Sequence, residues 1–420
     1  VNQFTQEPLP AKSSLAQPFN PSNPLKLRTP AKPKIVVSAV NFSAMGPLTI
    51  LREVLAHLAE RYAADYEIVA LVHCQSLVGI PNITYREFPH IKGSWWKRLK
   101  FEYFDLKAIS RDWQAELWLS LHDITPNVIA RRQAVYCHNA SAFFPFRFRD
   151  ARYDPGFGAF TLFYRFLYAI NIQRNDHVVV QQNWMREEFK ARYRVKSVIV
   201  AHPEVRPLMG TPATMAPTIS SATAPRLEPE TPPAKGTTHF FFPAYPRVFK
   251  NTELALEAAA ILGRKGTRNF ELWLTFRGTE NAYAARLVKR YAGIGSVQFL
   301  GLLPPSEMFE RYRRTDCLLF PSRLETWGLP ITEFKPFQKP ILAADLPYAR
   351  ETVGSYGPVA FFDPTNPREL AGLMQSVIEG TGKFETVNAA PIEPPFSPDW
   401  ASLFEILLPR PNRAKETAKG

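Results

Sequence analysis

The chain has 420 residues, 45% apolar and 13% aromatic, which is enough for large cores and long enough to divide into two domains. Its 51 Lys and Arg against 38 Asp and Glu give a net charge of +13, which favours acidic partners (anionic headgroups, nucleic acid, phosphorylated substrates) unless it is simply a solvated basic surface. No apolar run reaches the length of a membrane-spanning helix, and Cys74, Cys137 and Cys317 are too few and too scattered for a disulfide framework or a metal site, which points to a reducing compartment.

Residues 1–33 are rich in Pro, Ser, Gln and Lys without periodicity and read as a disordered leader; no charged-then-apolar signal segment opens them. Residues 34–203 read as a first domain. Ile35–Val40 is an expected strand, and Leu48, Leu51, Leu55, Leu58 and Tyr62 recur with helical period. The turn between them holds one glycine, Gly46, and lacks a dinucleotide fingerprint. Further strands are expected at 68–72, 117–121, 134–137, 178–181 and 198–201. Their alternation with helices predicts a doubly wound parallel sheet, whose ligands sit beyond the carboxyl ends of its strands. Two such ends are polar: His122-Asp123 and His138-Asn139. Trp95-Trp96-Lys97-Arg98-Leu99-Lys100 mixes aromatics with cations. It suits an anionic membrane surface, or an amphipathic helix packed on its own domain. Ala159–Ile172 is the richest apolar stretch, but it is interrupted by Arg165 and too short to span a bilayer.

Residues 204–237 are rich in Pro, Thr and Ala and read as an insertion or linker, and 238–390 as a second α/β domain. After its first strand come Arg247 and Lys250, two cations suited to a diphosphate, one as a planar fork and one as a point charge. Strands expected at 272–276 and 297–300 end in Arg277-Gly278 and Gly301. The segment Asp316–Glu333 then reads strand, loop, helix. Its helix opens at Leu329-Pro330, and Gly328 lets a ligand approach the exposed N–H groups of the first turn. Glu325 and Glu333 flank that end as acceptors for sugar hydroxyls, which together with a phosphate suggests a nucleotide sugar. Pro336 should leave the helix short or kinked. Residues 391–420 read as a crossover helix and tail.

The run PSRLETWGLPITE resembles the Glu-x7-Glu signature of the family 4 retaining glycosyltransferases of GT-B fold. Thr326-Trp327 stand where that family usually has Gly-Phe, and Lys335-Pro336-Phe337 where it has small residues. The resemblance, over most of residues 34–380, implies two Rossmann-like domains facing a cleft. It implies an enzyme moving a hexose-type sugar from a nucleotide diphosphate sugar to a hydroxyl of a saccharide or lipid-linked acceptor, with retention, in surface polysaccharide biosynthesis. Carried over position by position, it makes His138 and Glu325 catalytic. It makes Arg247, Lys250, Thr326, Trp327, Gly328, Leu329, Glu333 and Arg277 donor-binding, and it sets Gly46, His122, Asp123 and Asn139 on the acceptor side. The Arg247–Lys250 spacing is shorter than in many members. No Asp-x-Asp pair occurs, so no metal and no cofactor beyond the nucleotide-sugar co-substrate is expected. Nucleic acid is not an expected partner, because no RNA-binding module is present. The expected location is cytoplasmic, at the inner face of the cytoplasmic membrane. The alternatives are another GT-B activity, an epimerase or phosphorylase, or a non-catalytic basic protein binding polysaccharide or membrane.

Overall fold

The computed structural model describes residues 32–43, 45–145, 150, 154–203, 236–388 and 390–408. Almost all of the expected leader and of the 204–237 insertion, and the tail after Leu408, lie outside these residues.

The first sheet contains β1 (Lys34–Ala39), β2 (Glu67–Val72), β3 (Thr84–Glu87), β4 (Ala115–Ser120), β5 (Ala130–Cys137), β6 (His177–Val180) and β7 (Val198–Ala201). The second contains β8 (Thr238–Phe242), β9 (Phe270–Leu274), β10 (Val297–Phe299), β11 (Cys317–Phe320), β12 (Ile341–Ala344) and β13 (Val359–Phe362). A last short strand, β14 (Phe396–Ser397), returns to the edge of the first sheet beside β7. The strand orders are β14-β7-β6-β5-β4-β1-β2-β3 and β10-β9-β8-β11-β12-β13. Every paired strand runs parallel.

Strands of a sheet covered on both faces read as unbroken apolar runs, and β1 shows why. In its run KIVVSA the pleat sends Ile35, Val37 and Ala39 to one core with Leu51 and Leu55, and Val36 to another with Leu71 and Trp118. The first of these cores is completed by Trp400, Leu403 and Phe404 of the helix Trp400–Leu407, so the C-terminal helix caps the first domain. The return is fixed by buried Arg186, which donates to the carbonyls of Glu393 (2.6 Å) and Pro395 (2.7 Å). In the second domain Phe240, Phe241, Phe242, Leu318, Leu319 and Ile341 form one core.

Several expected boundaries shift. β5 begins four residues earlier than its apolar run suggests, because Ala130 and Arg132 pair with Ala115 and Leu117. β3 and β14 were not expected; β3 is mostly exposed and carries no buried run, and β14 is two residues long. The helix after Gly328 spans Leu329–Phe334 and tightens into a 3₁₀ turn at Lys335–Phe337, the shortening that Pro336 dictates. Strand order reverses between β1 and β4 and again between β8 and β11. Those two switch points are where such sheets open a crevice at their carboxyl ends.

Candidate active site

On the first-sheet side, Asp123 follows β4 with φ +70°, a left-handed conformation that an aspartate tolerates better than most residues. The turn aims its carboxylate at the end of β5. Oδ1 accepts the backbone N–H of His138 (2.8 Å) and of Asn139 (3.0 Å). The Tyr168 hydroxyl lies 3.1 Å from the same oxygen and 2.7 Å from the Asn139 carbonyl. Oδ2 is 3.7 Å from His138 Nε2, and Phe42 meets the His138 ring edge-on at 5.4 Å. One buried carboxylate therefore fixes the backbone at His138 and lies beside its ring.

His122 was expected on the acceptor side; its side chain is fully buried and is not in the wall of the cleft described below. Its Nε2 lies 3.1 Å from Ser38 Oγ and 3.2 Å from Glu102 Oε1, and Arg98 donates to its carbonyl at 2.8 Å. Burial drives the Glu102 carboxyl up to about 8, with Arg98 opposing, and holds His122 well below its usual range, with Arg98 assisting. At neutral pH Glu102 is largely protonated and His122 is neutral. Neither charge is then paid for in a low-dielectric floor.

On the second-sheet side, β8 leads into a 3₁₀ turn, Val248–Lys250, and Asn251 (φ +57°) starts the helix Thr252–Arg264. The Asn251 amide donates to the carbonyls of Pro321 (3.1 Å) and Pro364 (2.9 Å), tying this turn to the end of β11. Because β8 and β11 are neighbours, Lys250 meets Glu325 directly, with Nζ 2.6 Å from Oε1. The fold makes these two groups an ion pair.

The remaining expected donor residues are placed unevenly. Arg247 is half exposed, over the Tyr245 ring and 3.9 Å from Asp154 of the first domain. Gly328 has φ +93°, a conformation that strains any side chain, and a Cβ there would come within 3.3 Å of the Phe320 ring. Glu333 accepts the Tyr312 hydroxyl at 2.9 Å, and burial raises its pKa. The Trp327 indole is buried, donates to Thr332 (2.9 Å) and packs on His202 (4.5 Å between ring centres). The Arg277 side chain donates to the Leu300 carbonyl at 3.0 Å and lies across Gly301.

A cleft of about 480 Å³ lies between the two switch points. Asp123, His138 and Asn139 line it from one sheet, and Lys250, Glu325 and Thr326 from the other. Gly46, His122, Arg247, Arg277, Trp327, Gly328, Leu329 and Glu333 are not in its wall. The sequence reading missed Asn41, Ser43, Tyr164, Phe249 and Leu324, which are. Asn41 and Ser43 flank the turn already singled out by Gly46, so their signal was present. Tyr164 carried none, since only tertiary packing turns that helix toward the cleft. Among the described residues, no group of three His, Cys, Asp or Glu side chains is placed to hold a metal ion.

The two domains also touch outside the cleft wall. Arg323 forms a bidentate, buried pair with Asp150 (2.9 and 3.0 Å) and lies over the Phe144 ring. In addition, the Gln182 amide donates to the Tyr348 carbonyl (3.1 Å) and Thr352 hydroxyl (2.7 Å), and the Asn183 N–H donates to Glu351 (2.9 Å).

Residues 229–389 match the family model described as Glycosyl transferases group 1. The O-antigen chain mannosyltransferase B of Escherichia coli is 29% identical over 130 residues, 30% of this chain and 34% of that protein. The chain thus spans about a third of the length of the curated relative it matches. Among solved structures, WaaG, a glycosyltransferase involved in lipopolysaccharide biosynthesis, has a TM-score of 0.57 at 11% identity, covering 82% of this chain and 90% of that one. HepE from Anabaena, in complex with UDP-glucose, has a TM-score of 0.54 at 13% identity, covering 83% and 90%. The fold is the GT-B fold: two parallel-sheet α/β domains with helices, as in these glycosyltransferases.

Proposed function

We propose that the protein is a glycosyltransferase that moves a hexose-type sugar from a nucleotide diphosphate sugar to a hydroxyl of a saccharide or lipid-linked saccharide, in surface polysaccharide assembly. The observation that carries this reading is the meeting of Lys250 and Glu325 from one sheet with His138 and Asp123 from the other in a single cleft. The family match over the second domain and the mannosyltransferase relative support it.

In this reading the donor diphosphate enters against Lys250, with Arg247 closing from the rim. The Lys250–Glu325 pair opens, Lys250 turns to the diphosphate, and Glu325 accepts hydroxyls of the donor sugar. Glu333, with one oxygen engaged by Tyr312, accepts from the ribose. As the anomeric C–O bond to phosphate breaks, charge develops on the leaving diphosphate, and preorganised cations stabilise it. The acceptor oxygen bonds to the anomeric carbon from the same face, and its proton passes to the leaving phosphate oxygen. The configuration is retained. His138, held by Asp123, orients the sugar at the reacting face. Lys250 and Arg247 supply the positive charge a metal would otherwise bring, so activity should survive chelation.

The test is release of nucleoside diphosphate from a panel of GDP-, UDP-, dTDP- and ADP-sugars, with and without saccharide acceptors and EDTA. Acceptor-dependent release from one donor supports the reading. Release or epimerisation without an acceptor would favour the other GT-B activities. No stabilisation by any nucleotide, from folded protein, would sink the transferase.

A further inference from the structure

The helix Pro155–Ala169 reads PGFGAFTLFYRFLYA and contains one charged residue, Arg165. Its buried face carries Phe157, Thr161, Tyr164, Leu167 and Tyr168. Its outer face should therefore be polar, as on an ordinary surface helix. It is apolar instead: Pro155, Ala159, Leu162, Phe166 and Ala169 follow one another at helical spacing and all are exposed. Phe166 is 65% and Leu162 56% accessible.

This stripe does not end at the helix. Trp95 packs edge-on against Phe163 (4.9 Å between ring centres) and joins the stripe to the helix Trp95–Lys100, where Trp96 is 83% accessible. Phe104, in the π-helical turn that follows, is 72% accessible. Beside these aromatics the exposed cations Lys97, Lys100, Lys107 and Arg111 outnumber the exposed acid Asp112. Asp105 is already paired with Lys100. By contrast, the second domain exposes only Leu302 and Leu329 among its large apolar side chains that are described.

We infer that this face docks on an anionic lipid bilayer, with Leu162, Phe166 and Trp96 entering the interface and the lysines and Arg111 meeting the headgroups. A broad apolar stripe beside an excess of cations fits a membrane surface better than a protein of matching shape. The same helix turns Tyr164 into the wall of the cleft. Tyr164 lies on the face opposite the stripe, so docking by the outer face would hold the cleft about one helix diameter from the membrane, near where a lipid-linked acceptor lies. That last step rests on the function proposed above; the docking does not.

The test uses the full chain with phosphatidylcholine vesicles and with vesicles of equal phosphatidylcholine and phosphatidylglycerol, read by co-sedimentation. Circular dichroism and thermal melting check that each variant is folded. Wild type should bind the anionic vesicles roughly tenfold or more better than the neutral ones. Leu162→Asp/Phe166→Asp should lose binding to both, and Lys97→Glu/Lys100→Glu should lose the preference for anionic lipid. Wild type that ignores vesicles, or a folded aspartate variant that binds them as wild type does, overturns the proposal. So does a concentration-dependent dimer that the aspartate variant abolishes, in the absence of vesicle binding; that result assigns the face to a second copy of the chain. Vesicle binding without sugar transfer would uphold the docking while removing the transferase, so the two failures are distinguishable.

Discussion

On the first-sheet side of the cleft, Asp123 grips two backbone N–H groups and lies against the ring of His138. On the second-sheet side, Lys250 and Glu325 hold each other. The first arrangement is set by the chain's own hydrogen bonds and does not depend on a ligand. The second is a pair of charges whose partners in the proposed reaction are a diphosphate and sugar hydroxyls. One wall is built for position, the other for exchange of partners. This division suits a reaction in which the departing group changes charge while the reacting face of the sugar must stay still.

The comparison can be broken or sharpened at several points. The largest effect should come from Arg323, which spans the two walls. Arg323→Ala removes both hydrogen bonds to buried Asp150 and should cost about 3–5 kcal/mol in urea unfolding. A cost below about 1 kcal/mol would mean that the pair is worth no more in solution than an exposed one.

Lys250→Ala should lower kcat by roughly 10²–10³-fold, the usual loss of one preorganised donor, in an assay of nucleoside diphosphate release. On the other wall, Asp123→Ala should cost about 1–3 kcal/mol of stability as well as activity, because it orphans the His138 and Asn139 N–H groups. If the two walls differ as described, Lys250→Ala separates activity from stability and Asp123→Ala does not.

Beneath the first wall, the Glu102 carboxyl is raised from its ordinary 4.5 to about 8 by burial. The folded state then holds a proton that the unfolded state gives up above pH 4.5. The corresponding stability is complete below that value and is lost as pH rises toward 8. His122, lowered from 6.5, works in the opposite sense, and its contribution is lost as pH falls below 6.5. Between pH 6.5 and 8 the Glu102 effect runs against that of Lys335, whose amine burial lowers from 10.5 to about 8 and whose contribution is lost as pH falls toward 8. Urea midpoints should change more steeply downward with pH across that window in wild type than in Glu102→Gln; equal slopes would place the titration elsewhere. The smallest effect is expected at Glu333, outside the cleft wall, where Glu333→Gln should raise the donor KM about tenfold, near 1.4 kcal/mol, with little change in kcat.

The second wall was the more legible in sequence. Pro321, Gly328 and Pro330 are local signals, each forced by backbone geometry, and the strand–loop–helix they mark is present. The two parallel sheets were readable too, because strands buried on both faces are runs such as VVSA and CLLF whatever lies beside them. His138 and Asn139 were readable as polar residues closing such a run.

What the sequence determined alone was therefore local: buried runs, turns that require glycine or proline, and the types of chemical group brought near strand ends. Tertiary structure decided which groups meet. It paired Lys250 with Glu325, because β8 lies beside β11. It buried His122 behind the cleft wall and put Tyr164 into that wall. It also left Leu162 and Phe166 exposed on a helix whose composition alone suggested burial. Periodicity specifies a residue's face on its own element, but only the packing of elements hundreds of residues apart determines what that face touches.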